Sequence, residues 1–132
     1  MKIKTIKVFF PIAPLPAPRP RVTRNGTYND PKYTNYKKSI TLLAKRHFQV
    51  SDKPIAMYVD FYFEQPKSWS KKKREEALWH TSRPDIDNLQ KGIKDALNGI
   101  AYVDDSQVCY VIARKQYSFR VGIEVEIKEL QI

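Results

Sequence analysis

The chain has 132 residues, a formal net charge of +10 and a single cysteine. This length fits one domain with one hydrophobic core over residues 1–132. No run of about 18 apolar residues predicts a membrane-spanning helix, and the opening residues lack the apolar stretch of a secretory signal. We therefore expect a cytoplasmic protein with no membrane partner.

The cysteine and histidine content argues against two kinds of site. One cysteine and two histidines supply too few soft ligands for a structural zinc site. Cys109 stands within an apolar run, so it is expected to be a buried small side chain and not a nucleophile.

Positive charge is concentrated in the first part of the chain. Residues 1–50 contain eleven Lys or Arg and one acidic residue, Asp30, whereas the rest of the chain contains 13 of each sign. Such a distribution is typical of a surface that binds nucleic acid or an anionic membrane. Scattered lysines that merely keep a small protein in solution would also raise the count.

The chain opens with a predicted strand and a basic arm. Residues 3–10 are rich in β-branched and aromatic side chains and are followed by Pro11, which predicts a first strand. Residues 11–31 contain six prolines and the turn dipeptide Asn25-Gly26, so regular structure is not expected there. We interpret 11–31 as a long loop or arm that is either functional or disordered. Its candidate contacts to a DNA backbone are Arg19, Arg21 and Arg24.

Three elements are predicted in the middle of the chain. Apolar residues recur near the 3.6-residue period over 33–48, which predicts an amphipathic helix whose basic flank includes Lys37 and Lys38. Strict alternation over 55–63 predicts a strand, and Ser70 is expected to cap a short helix that extends to about Trp79. The first turn of that helix is basic, which opposes the helix dipole and indicates an external anion such as DNA. The residues concerned are Lys71, Lys72, Lys73 and Arg74.

The last third of the chain predicts a helix and two strands. The helix spans 85–98 and ends at Asn98-Gly99, and alternating patterns predict strands over 107–117 and 121–128. Ser118 to Arg120 is expected to turn a hairpin between them. The order of elements predicts an α+β fold, in which helices pack on a mixed or antiparallel β-sheet.

Four carboxylates stand close together in this otherwise basic chain. Asp85 is expected at the start of the helix, where Pro84 favours an N-cap, while Asp87 and Lys91 share its polar face. Asp104-Asp105 precedes the next strand, and neighbours on an extended chain point oppositely, so one of the two is expected to return to the helix start. Carboxylates with waters suit Mg²⁺ and leave room for a phosphate.

A purely structural interpretation of the same residues is also open. Asp85 would then only cap the helix, Asp87 and Lys91 would form an exposed ion pair, and Asp104-Asp105 would be a turn. Grouped carboxylates beside a basic arm would, however, call for a compensating cation such as Mg²⁺.

The acidic segment closely resembles the RusA family of Holliday junction resolvases. The residues that carry the resemblance, in order, are Arg83-Pro84-Asp85-Ile86-Asp87-Asn88-Leu89-Gln90-Lys91, Asp95 to Asn98, and Val103 to Val108. The basic, proline-rich opening from Pro18 to Gly26 is similar to that of phage and prophage members, which implies a bacterial or phage-encoded protein.

The resemblance implies a homodimeric, Mg²⁺-dependent endonuclease that cuts two strands of a four-way DNA junction symmetrically, in recombination and repair. It places the essential aspartates, as metal ligands, at Asp85, Asp87 and Asp105, and the essential lysine at Lys91. Lys91 would either contact the phosphate or steer the carboxylates. Two other functions remain open: a DNA-binding module whose acids are structural, and a metal-dependent nuclease that acts on flaps or other branched replication intermediates.

Overall fold

The computed structural model describes residues 4–18, 21–23, 26–28 and 30–131, with only the backbone described within 21–28. Its helices are Pro31–Ala44 (α1), Lys71–Glu76 (α2) and Ile86–Ala96 (α3). Its strands are Thr5–Phe10 (β1), Arg21–Thr23 (β2), Gly26–Tyr28 (β3), Ile55–Phe63 (β4), Val108–Tyr117 (β5) and Gly122–Glu129 (β6).

The main sheet is mixed. Its four strands lie in the order β1-β6-β4-β5, with β4 parallel to β5 and antiparallel to β6, and with β1 antiparallel to β6. Helices pack against the sheet, so the predicted α+β fold with a mixed sheet is confirmed.

The hydrophobic core lies between one face of the sheet and two helices. Alternate residues of β4, such as Met57 and Phe61, are buried on this face. They pack in one cluster with Ile40 of α1 and with Leu89 and Ile93 of α3. The period of 2 in β4 and the period of 3.6 in α3 therefore predicted the buried faces correctly.

The opposite face of the sheet contains an ion pair between a buried carboxylate and an exposed arginine. Asp60 of β4 is buried and accepts two hydrogen bonds from the guanidinium of Arg114 in β5, at 2.5 and 2.9 Å. Gln116 donates a further bond to the same carboxylate at 3.3 Å. Since a buried carboxylate is costly unless it is paired, these contacts explain why Asp60 is tolerated there.

The predicted hairpin between the last two strands is wrong. β4 lies between β5 and β6, and the connection crosses the end of β4, where the amide of Ser118 donates to the carbonyl of Phe63 at 2.9 Å. β6 then begins at Gly122, where a Cβ would lie 2.5 Å from the carbonyl oxygen of Phe10. Only glycine fits this close approach of two backbones.

Two other expectations need correction. The arm contains a small antiparallel sheet, because β2 pairs with β3, whereas no regular structure was expected there. Cys109 is exposed and lies at a register shift of β5, the outermost strand of the main sheet, where it has no partner on β4. The remaining predicted helices and strands are all present, with α1 ending four residues earlier than the pattern indicated.

Candidate functional site

The first turn of α3 presents two carboxylates with no structural task. Asp85 is the N-cap, as predicted, yet its side chain makes no capping hydrogen bond. Asp87 lies in the first turn, and both residues are exposed. An N-cap aspartate normally accepts a bond from the helix backbone, so the uncommitted Asp85 carboxylate is available to a ligand.

Lys91 lies one turn further along α3 and is exposed. It forms no ion pair with Asp87 or with any other described residue, so the structural interpretation of these two side chains as a surface pair is not supported. The ion pairs within the described residues are Lys7–Glu124 and Arg114–Asp60.

The loop that leads into α3 is tied to β5. The amine of Lys115 donates to the carbonyls of Ser82 and Pro84, both at 2.8 Å, and the amide of His80 donates to the carbonyl of Lys115 at 3.1 Å. Lys115 was not a predicted site residue, because a lysine within a strand pattern carries no local signal for this contact.

The beginning of the arm is tied to the same turn of α3. The amide of Ala17, which is buried, donates to the carbonyl of Asn88 at 3.0 Å. Arg19 and Arg24 lie outside the described residues, and Arg21 is described by its backbone alone. The bond from Ala17 to Asn88 holds the described beginning of the arm against the first turn of α3, next to Asp87.

The other acidic residues lie in a capped turn. Asp104 accepts a hydrogen bond from the amide of Ser106 at 3.1 Å, and Gln107 accepts one from the amide of Asp104 at 2.9 Å. Together they form a capping box around a short 3-10 helix, Asp105–Gln107. Hydrogen bonds from Ser106 hold the pKa of the Asp104 carboxyl below its usual value. Asp104 is therefore the structural member of the doublet, while the half-buried Asp105 has no capping task.

Asp105 lies near the C-terminal end of α3. The hydroxyl of Tyr102 donates to the carbonyl of Lys94 at 2.7 Å, and its pKa is raised by burial and by the charges of Asp105 and Asp95. The loop before Asp85 instead contacts Lys115 of β5. Asp105 lies just before Val108, the first residue of β5, and Lys115 is seven residues further along, or about 23 Å in an extended strand. Asp105 and Asp85 are thus at opposite ends of α3.

The expected convergence of carboxylates is not found within one chain. Among the described residues, no three His, Cys, Asp or Glu side chains are grouped so that they could hold a metal ion. Asp85 and Asp87 share the first turn of α3, whereas Asp105 is separated from them by roughly the 16 Å length of an eleven-residue helix.

The lysines predicted on α1 line a groove against α3. Lys37 and Lys38, together with Lys45, border a cavity of about 480 Å³ that also contacts Asp95. The Lys37 amine lies 4.7 Å from the centre of the Tyr33 ring, a cation–π distance. Lys45, the C-cap of α1, belongs to the same predicted basic flank but was not among the predicted DNA contacts.

The basic residues of α2 differ in whether they contact other parts of the protein. All three lysines are exposed, and the Lys73 amine lies 4.5 Å from the ring centre of Trp69. The guanidinium of Arg74 donates to the carbonyls of Trp69 and Pro66 at 3.2 and 3.0 Å. Arg74 therefore stabilises the loop before α2, and Lys71 and Lys72 remain open to an anion.

None of the helices in the described part of the chain is long and apolar enough to cross a membrane.

Comparison with known proteins points to one family. The family model described as endodeoxyribonuclease RusA matches residues 11–128. The chain is 41% identical over 129 residues to the uncharacterized protein YqaN of Bacillus subtilis, which covers 89% of this chain and 91% of that protein. It is 33% identical over 101 residues to the crossover junction endodeoxyribonuclease rusA of Lactococcus phage r1t, covering 73% and 72% of the two chains.

Proposed function

Because the chain belongs to the endodeoxyribonuclease RusA family and is therefore an endodeoxyribonuclease, we propose that it resolves four-way DNA junctions by paired, symmetric cuts. The observation that carries this proposal is the first turn of α3, where Asp85 and Asp87 are exposed and Asp85 leaves the N-cap bond unmade. Paired oxygen ligands beside basic segments suit a hard cation that meets a phosphodiester. The phage relative is named for cutting crossover junctions, which supports the choice of substrate.

The proposed cofactor is Mg²⁺, held by Asp85, Asp87 and Asp105. These side chains offer only carboxylate oxygens, the ligand type that Mg²⁺ prefers. The ion would lower the pKa of a bound water and stabilise charge on the phosphate. Lys91 lies one turn from Asp87 with its amine unpaired among the described residues, so we assign it to the phosphate oxygens.

A homodimer would complete this set of ligands. Since Asp105 lies at the opposite end of α3 from Asp85 and Asp87, a single chain supplies them at two separate places. A two-fold axis near the middle of β5 would place Asp105 of one protomer beside Asp85 and Asp87 of its partner, twice per dimer. Two equivalent sites also match a junction that must be cut on two strands.

The free edge of β5 supports such a dimer. No described strand pairs with this edge between Val108 and Arg114, and Tyr110 and Ile112 expose large apolar side chains there. An unpaired edge offers main-chain donors and acceptors to another strand. Antiparallel pairing of two β5 strands would set the beginning of one, just after Asp105, against the end of the other, where Lys115 contacts the loop before Asp85.

DNA would approach over the basic surfaces that flank α3. The proposed contacts extend from the arm, over α1, to the exposed part of α2. They are Arg19, Arg21, Arg24, Lys37, Lys38, Lys71 and Lys72, with Lys73 and Arg74 holding the α2 region in shape. Exposed cations of this kind bind phosphates without reading sequence.

The direct test is cleavage of a synthetic four-way junction. Wild type with Mg²⁺ should cut two opposed strands at equivalent positions, and Asp87→Asn should bind the junction but not cut it. A wild type that binds without cutting would contradict the proposal. Competition among junction, flap and linear duplex would identify a general branched-DNA nuclease if the flap is cut equally well.

A mixing experiment tests the shared site. Asp87→Asn and Asp105→Asn should each be inactive alone. If Asp105 acts across the dimer, a heterodimer of the two variants has one site that carries both substitutions and one site that carries neither. The heterodimer would then regain one intact site. The mixture should therefore nick one strand of the junction, whereas no activity in a mixture shown to contain heterodimers would contradict sharing between protomers.

A further inference from the structure

Lys115 combines a half-buried position with two hydrogen bonds to the main chain of another segment. Lys115 lies opposite Phe61 in the register of β4 and β5, on the sheet face that packs against α3. The amine contacts the carbonyls of Ser82 and Pro84, both at 2.8 Å, and it has no ion-pair partner among the described residues.

The loop between His80 and Asp85 needs such an anchor. It has no helix or strand of its own, so its carbonyls are not satisfied by regular structure. A lysine ammonium carries three donors, and here two of them join two carbonyls of one loop. The bond from the amide of His80 to the carbonyl of Lys115 holds the other end of the loop to the same residue of β5.

We propose that Lys115 is a positioning residue for the nuclease site, one that fixes the loop from His80 to Pro84 and thereby the carboxylates of Asp85 and Asp87. The inference rests on the proposed function of those carboxylates. Pro84 directly precedes Asp85, and the Asp85 side chain is not held by a capping bond. The direction of this carboxylate therefore depends on the backbone that Lys115 holds.

A positioning role predicts a specific pattern of losses. Residues that hold metal ligands in position without contacting the metal typically contribute about 10- to 100-fold to metal affinity or activity. Lys115→Met, which keeps the length of the side chain and removes the donors, should weaken Mn²⁺ binding to the DNA-free protein by about that factor. Lys115→Arg restores the donors and the charge, so it should recover most of this loss.

The experiment measures Mn²⁺ binding by electron paramagnetic resonance and amide hydrogen exchange over residues 81–90, in the full chain without DNA. Exchange should accelerate in Lys115→Met and return towards wild type in Lys115→Arg. Lys128→Met is the matched control: this lysine lies on β6, on the opposite face of the sheet, and neither readout should change. Lys115→Gln, which removes the charge and whose amide nitrogen is one bond closer to the backbone and so falls short of the two carbonyls, replaces Lys115→Met if the latter does not fold.

Three results would overturn the proposal. Unchanged Mn²⁺ affinity in a folded Lys115→Met protein would mean that the site does not need the anchor. Equal damage in a folded Lys115→Arg protein would mean that restoring the donors and the charge does not restore the site, so that the loss does not come from the hydrogen bonds to the loop. A loss of junction affinity in the absence of metal, with Mn²⁺ binding intact, would assign Lys115 to the phosphate instead. Failure of the wild type to cut a junction would contradict the proposed function, yet the Mn²⁺ and exchange readouts would still decide the role of Lys115.

Discussion

The two ends of α3 carry similar side chains in different structural roles. At its start, the carboxylate of Asp85 makes no capping bond and the backbone is held by Lys115 and Ala17. Near its other end, Asp104 uses its carboxylate to cap a turn. The four aspartates are thus distinguished by the hydrogen bonds that each carboxylate makes. An aspartate whose carboxylate makes no capping bond is the stronger candidate for a metal ligand.

The two ends also differ in how they are held. The turn at Asp105 is fixed by its own neighbours and by Gln107, whose side chain donates to the carbonyls of Ser51 and Lys53, both at 2.9 Å. The start of α3 is fixed by residues distant in sequence, on β5 and in the arm. Both ends therefore depend on contacts with residues distant in sequence, and the turn at Asp105 differs in having a capping box of its own as well.

The largest expected effect separates Asp104 from Asp105. Asp105→Asn should reduce cleavage by at least about 10²-fold, because loss of a metal ligand removes several kcal/mol of charge stabilisation. Asp104→Asn should stay within a few-fold of wild type, since asparagine caps about as well as aspartate. Single-turnover cleavage rates measure both variants, and the reverse order would break the proposed division of roles.

The second effect concerns the arm at the start of α3. Neutralising about six phosphates should cost roughly 10³-fold in junction affinity between about 50 and 200 mM salt. Replacing Arg19, Arg21 and Arg24 with glutamine should flatten the plot of log affinity against log salt, as fewer counterions are released. Fluorescence anisotropy in catalytically inactive Asp87→Asn measures this slope, and an unchanged slope would remove the arm from the interface.

A third effect tests the packing between α1 and α3. A Cβ at Gly92 would lie 3.3 Å from the Tyr33 hydroxyl and 3.7 Å from the Tyr36 ring, so larger side chains do not fit. Gly92→Leu should lower the free energy of unfolding by about 1–3 kcal/mol through overpacking. Chemical denaturation should show Gly92→Leu to be less stable than Gly92→Ala, in which the gain in helix propensity offsets the close contact, and a leucine variant as stable as wild type would contradict the close approach.

The smallest effect is a pH dependence at the loop before α3. His80 stacks on Phe63 with ring centres 4.0 Å apart, and burial, followed by the charge of Lys115, lowers the His80 pKa below 6.5. As pH falls below about 6.5, the unfolded chain binds the proton first, so stability should decrease until the lower folded pKa is passed. His80→Phe should reduce this dependence in thermal melts recorded between about pH 5 and pH 8, and an identical slope would assign it to other groups.

Local patterns predicted the three helices and the four strands of the main sheet, but not β2 and β3 in the arm. The start of α3 could be placed at Asp85 because proline and an N-cap residue act within one turn, and the buried face of β4 followed from strict alternation. The free edge of β5 could not be predicted in this way. An alternating pattern shows which face of a strand is buried, but it does not show how many strands lie beside it. For this reason Cys109 was expected to be buried, although it is exposed.

By itself, the sequence determined the α+β composition, the basic first part and the acidic positions around α3, since these depend on neighbours within a few residues. Only the tertiary structure decided the order of the strands, which sets β4 between β5 and β6, and the anchoring by Lys115. It also decided that Asp105 lies apart from Asp85 and Asp87 within one chain. Each of these depends on contacts between residues far apart in sequence, whose free energy no local pattern records.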